Sequence, residues 1–155
     1  MDGSAEEMAV LERQLRDMAG YLPATHQEIA AVAEAAGQLG IKRQDVAAFT
    51  RTMIDLGNTT NMSAEEAATS LARLSNIMGV SASDVDRLGS VIVELGNNSA
   101  TTEAEIVKMT MRIAGAGNQI GMTTPQVLAW ASAMSSVGIE AEMGGSAPRR
   151  CRADP

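Results

Sequence analysis

Aromatic side chains are nearly missing from this chain of 155 residues: Tyr21, Phe49 and Trp130 make up the whole 2%. Sandwiches and barrels draw on aromatic and β-branched strands, so this scarcity argues against both. Cysteine is as scarce. Cys151 alone supports neither an internal disulfide framework nor a multi-thiolate metal site. The single histidine, His26, excludes a His-pair metal site and makes an intrachain Ser-His-Asp triad hard to assemble. Positive charge is in deficit, with 12 Lys and Arg against 19 Asp and Glu, a net charge of −7. Non-specific nucleic-acid binding needs cations to neutralise phosphates, so direct nucleic-acid binding is not expected.

Long apolar runs are also absent. A membrane span needs roughly 20 mostly apolar residues. The nearest candidate, 113–139, carries no charge but is interrupted by Gly115, Gly117, Gly121 and Pro125. It reads as two buried helices around a turn, and the Gly117-x-x-x-Gly121 spacing is weak outside an apolar 20-mer. The first residues, Met1-Asp2-Gly3-Ser4-Ala5-Glu6-Glu7, are acidic where a secretory signal would be basic and then apolar.

What the chain does have is aliphatic: 45% of it is apolar, supplied by Ala, Leu, Ile, Val and 11 Met. Such a composition favours closely packed helices, and the length suits one domain. Self-similarity is the most informative feature. Gly40-Ile41-Lys42-Arg43-Gln44-Asp45-Val46 returns about forty residues later as Gly79-Val80-Ser81-Ala82-Ser83-Asp84-Val85. It returns again as Gly121-Met122-Thr123-Thr124-Pro125-Gln126-Val127. The residues that follow stay in phase: Phe49, Met53, Leu56 and Gly57 match Leu88, Ile92, Leu95 and Gly96, then Trp130, Met134, Val137 and Gly138. With each valine these form the buried stripe of an amphipathic helix.

Helix starts and stops recur with the same period. Ser/Thr-x-x-Glu capping boxes begin at Thr25, Ser63 and Thr102, with a further start at Ser4. Ser81 and Thr123, followed three residues later by Asp84 and Gln126, are read as caps of the partner helices. Gly40, Gly79, Gly121 and Gly138 each precede an apolar residue, the pattern of a left-handed Schellman stop. The spacing predicts helices near 4–20, 25–39, 43–56, 63–78, 82–95, 102–119 and 123–137, with polar turns starting at Gly57 and Gly96. Gly115-Ala116-Gly117 is expected to shorten or kink the sixth.

Helices of about fifteen residues are marginal alone, so they must pack together. The expectation is an all-α domain over 1–147 of repeated helical hairpins, about seven helices in all, as a compact bundle or a short solenoid. With fewer than three full units, the bundle is preferred. The stripes would use nearly all the large apolar residues. Residues 148–155, Pro148-Arg149-Arg150-Cys151-Arg152-Ala153-Asp154-Pro155, break from the pattern and read as a disordered or foreign tail.

No constellation for chemistry stands out. There is no phosphate-binding glycine loop, nucleophile elbow or zincin motif, and the glycines are spaced as helix stops. His26 reads as a solvated residue at a helix start, and Cys151 has arginine neighbours but no histidine after it. A helix-turn-helix reader would rest on Lys42, Arg43 and Arg51 against Asp45 and Asp55, which is thin support. Methionines could build an adaptable groove but serve more often as core in a Phe-poor protein. No catalytic, cofactor or metal residue is assigned, and an enzyme is not expected.

Several stretches resemble the core region of phage tail tape-measure proteins. They are Leu39-Gly40-Ile41-Lys42, Met62-Ser63-Ala64-Glu65-Glu66-Ala67-Ala68, Leu95 through Ile106 with its Leu-Gly-Asn-Asn and Thr-Glu-x-Glu-Ile runs, and Ser136-Val137-Gly138-Ile139-Glu140-Ala141-Glu142. The similarity runs from about Leu22 to Ala147. It implies a virion structural protein of long-tailed phages or prophages, made in the host cytoplasm and lodged in the tail-tube lumen. There such proteins set tail length, with tail-tube and tail-chaperone proteins as partners and possible self-association. Family members are much longer. A 155-residue chain spans at most roughly 230 Å as one continuous helix, and far less as hairpins, so alone it is no full ruler. The rival reading is a helical adaptor without a tape-measure role.

Overall fold

Each predicted cap–stripe–glycine segment corresponds to a helix, and the helices associate through their apolar faces. The computed structural model describes residues 5–140. Ser4, residues 141–147 and the tail 148–155 with Cys151 lie outside the described residues. Seven α-helices follow one another: α1 Ala5–Met18, α2 His26–Gln38, α3 Arg43–Thr59, α4 Ala64–Met78, α5 Val85–Asn98, α6 Glu103–Gln119 and α7 Thr124–Ser136. A single 3-10 turn, Ala82–Asp84, leads into α5, and there is no strand among the described residues.

The helices lie in two rows. Besides most chain neighbours, α2 packs on α4 and α4 on α6, while α1, α3, α5 and α7 form a second succession. Contacts that reach one and two helices ahead are those of a short α–α solenoid, so the preference for a bundle gives way. α4 lies against α2, α3 and α6. Its Ala67, Ala68 and Ala72 have no exposed surface, and side chains this small let neighbouring helix axes come close. Phe49, Met53, Leu71, Ile92, Ile106 and Leu128 are the bulk of the core around them. Met18, Met53, Met62 and Met109 are buried, so these methionines fill core.

Three expectations of local structure are corrected. Gly57 and Gly96 do not open turns; α3 and α5 run through them to Thr59 and Asn98. The polar residues expected to form the links instead satisfy helix-end carbonyls. Thr60 donates its N–H and its hydroxyl to the Leu56 carbonyl at 3.0 and 2.7 Å, and Asn98 Nδ2 donates to the Glu94 carbonyl at 2.9 Å. Both glycines sit where the next helix begins: a Cβ on Gly57 would lie 2.7 Å from the Ala64 nitrogen, and one on Gly96 2.5 Å from Glu103 Cδ. α6 is not shortened at Gly115-Ala116-Gly117 but runs to Gln119, and Gly117 admits Val127, whose Cγ2 would be 2.8 Å from an added Cβ. The first helix ends at Met18, two residues early, where the chain turns through Gly20.

Candidate functional site

The residues singled out by sequence fall at helix ends, distributed along both rows. Gly40, Gly79, Gly121 and Gly138 all take positive φ, between 69° and 86°. The residue after each, Ile41, Val80, Met122 or Ile139, donates its N–H five residues back, at 2.9–3.1 Å. That bond is the 6→1 closure of a Schellman ending, and Ile41, Met122 and Ile139 are partly buried against the core. Thr25 and Thr102 each accept from the backbone N–H of Glu28 and Glu105, and each glutamate accepts from the threonine's own N–H. Ser63 Oγ accepts from Glu66 N–H at 3.1 Å, and Thr123 N–H donates to Gln126 Oε1 at 2.9 Å.

Ser81 does not cap as expected. Its first turn is 3-10, so the Asp84 N–H goes to the Ser81 carbonyl at 2.9 Å and is lost to the hydroxyl. The hydroxyl donates instead to Asp84 Oδ2 at 2.6 Å.

The carboxyls of Glu28 and Glu105 are held below the usual glutamate range. For Glu28 the main cause is the backbone N–H of Thr25, followed by the Thr25 hydroxyl. For Glu105 it is the Thr102 N–H, helped by the hydroxyls of Thr101 and Thr102 and slightly by Lys108. These hydrogen bonds close helix ends and favour the ionised carboxylates. His26 is exposed at the start of α2.

Two features were missed in the sequence. Asn76 and Asn118 each stand three residues before a repeating glycine and reach across to the preceding helix of their row. Asn76 Nδ2 donates to the Leu39 carbonyl at 3.2 Å, and Asn118 Nδ2 to the Ile77 carbonyl at 2.8 Å. Their common spacing from Gly79 and Gly121 was the available signal.

The second is a change of exposure at equivalent positions. Phe49 and Leu88 are 2% and 5% exposed, but Trp130 is 50% exposed; Leu56 is 4% exposed and Leu95 half-buried, but Val137 is 73% exposed. The third stripe is thus not fully buried, because no further unit lies beside α7 among the described residues. Gln126, Ala129, Trp130, Ala133 and Val137 form an exposed, uncharged outer stripe.

Grooves are open and modest. One of about 460 Å³ runs between α5 and α7 over the end of α4, with Met78, Val80, Val91 and Pro125 in its walls and the Asp84–Arg87 pair on its rim. A second, of about 620 Å³, lies between α1 and the start of α3, where Arg43 Nη1 meets Glu7 Oε2 at 2.6 Å. Neither groove sets a nucleophile beside a histidine. Among the described residues no group of three or more metal-ligating side chains gathers, and no helix is long and apolar enough to cross a membrane. The arrangement provides surfaces for packing.

The sequence matches the model of a family described as phage-related minor tail protein over residues 12–151, nearly the whole chain. No curated protein and no solved structure matches it.

Proposed function

The chain belongs to the phage-related minor tail protein family and is a phage tail protein; from that premise we propose that it acts as a tape-measure segment. In this reading it is a structural component lodged in the tail-tube lumen, helping the tube assemble and contributing to its length. Its partners are tail-tube and tail-chaperone proteins, and no chemical step is assigned to it. The supporting observation is the two-row repeat of about forty residues, in which α2, α4 and α6 each open on a Ser/Thr cap and close on a left-handed glycine. A protein that measures by its own extent needs such modular length. The resemblance over Leu95–Ile106 and Ser136–Glu142 points the same way.

An in-frame deletion of residues 63–101, one full unit, in the phage tests this by tail length in electron micrographs. If the segment serves as stacked hairpins, the tail shortens by about one helix spacing, roughly 10 Å. If it is drawn out as continuous helix, the loss is about 60 Å. In-frame duplication of the same unit should lengthen tails correspondingly. Normal tails of unchanged length in both variants would overturn the length-setting role and favour an adaptor.

A further inference from the structure

Grooves run along α1 on both flanks. The one of about 620 Å³ separates it from the start of α3, and another of about 350 Å³, walled by Leu15, His26, Ile29 and Ala30, separates it from α2. Between them α1 is seated by few side chains: Leu11 and Met18 are its buried residues, whereas each other helix buries four to eight. α7 buries four and lies along α6 far more closely than α1 lies on either neighbour. Seating α1 also has a cost. Arg43 is 16% exposed against it, and while Nη1 meets Glu7 Oε2, Nε is buried with no hydrogen-bond partner. Lifting α1 returns that guanidinium to water and removes the penalty. α1 itself suits release. Six of its 14 residues are charged, it has no Gly or Pro, and Glu12 pairs with Arg16 along it, so it keeps a soluble helical form off the body. The link 19–25 has seven residues, Gly20 and Pro23 among them, against four at most other joints.

We propose that α1 is a hinged strap: it swings off α2 and α3 as one unit, about the link 19–25, while α2 to α7 stay folded. Leu11, Leu15 and Met18 hold it shut against the core, and the partly unsatisfied Arg43 keeps the closed state near balance. Tyr21, whose ring centre lies 5.9 Å from the Arg51 guanidinium carbon, moors the hinge to α3. The far end, at Glu7, is therefore the one that swings out. Release bares the face of α2 and α3 under α1, with Ile29 on one side and the cations Lys42 and Arg43 on the other. The strap governs access to that face without rearranging the rest of the rows. This inference goes beyond the tape-measure reading and is tested on the isolated protein, so either can fail without the other.

The experiment is amide exchange of the full chain by NMR, residue by residue, at urea concentrations below the unfolding midpoint. The expected result is that the protected amides of α1 share one opening equilibrium, about a hundredfold or more above that of α4 and α6, with a weaker urea dependence. Leu11→Ala should speed exchange throughout α1 about tenfold or more and leave α4 and α6 at their original rates. Glu7→Gln, which removes the charge opposite Arg43, should speed α1 about threefold or more. Arg43→Met keeps the apolar stem and removes the orphaned donor, so it should slow α1 exchange by about the same factor. Protection that rises residue by residue from Ala5 to Met18, with no common opening, would mean fraying. Exchange of α1 only together with α4 would mean one cooperative block. Either overturns the proposal, as does an unchanged or faster α1 in Arg43→Met.

Discussion

Three glycines show how one residue type meets different demands in this chain. Gly79 has φ +69° with nothing within 4 Å of an added Cβ, so Gly79→Ala brings backbone strain alone and should cost about 1 kcal/mol. Gly57 is helical but faces the Ala64 nitrogen at 2.7 Å; Gly57→Ala must push two helices apart and should cost more, about 1–3 kcal/mol. Gly115 is exposed within α6 with open space around it, so Gly115→Ala should stabilise by about 0.5–1 kcal/mol. Urea denaturation midpoints of the three variants check the order; a stabilising Gly57→Ala would contradict the close approach.

Caps follow the same logic. Thr102→Ala should cost about 1 kcal/mol and Ser81→Ala much less, because the Ser81 hydroxyl holds no backbone N–H. Glu28 and Glu105 contribute stability that is present above the ordinary glutamate range and is lost as pH falls through their lowered values. Glu28→Gln should therefore flatten the fall of the thermal midpoint between neutrality and about pH 3. The sequence placed Thr25, Ser63 and Thr102 correctly at helix starts, since a Ser/Thr-x-x-Glu run is a local device. It misjudged Ser81 because the choice between an α and a 3-10 first turn depends on which acceptor takes the Asp84 N–H.

At the level of helices, the stripes and stops were legible because periodicity and Schellman geometry are written in neighbouring residues. The ends of α3 and α5 were not. Gly-Asn runs after Leu56 and Leu95 look like turns, yet Thr60 and Asn98 satisfy the last carbonyls and the helices continue. The need for Gly57 comes from the backbone of α4, which a local reading cannot see. Exposure of Trp130 was illegible for the same reason: position-for-position it matches Phe49, and the two differ only in that α5 covers Phe49 while no row element covers Trp130 among the described residues. The Asn contacts supply a test of the rows themselves. Asn118→Ala removes the bond to the Ile77 carbonyl and should lower stability by about 0.5–1 kcal/mol, without changing the denaturant slope. No effect would mean that solvent replaces the bond at no cost.

Across the whole molecule, the principal contacts reach only one or two helices ahead, so stability is a sum over neighbours. Amide exchange measured by mass spectrometry should be slowest in α3, α4 and α6, which have neighbours on several sides, and faster in α1 and α7. Uniform protection would point to a single cooperative block.

The two-row arrangement also has a mechanical side. In a structure whose principal contacts join near neighbours, a pull between the termini is carried by every hairpin in series, and a terminal hairpin, with a neighbour on one side only, yields first. The chain would yield in steps, each breaking the contacts of one hairpin, and the force required would not grow with the number of units.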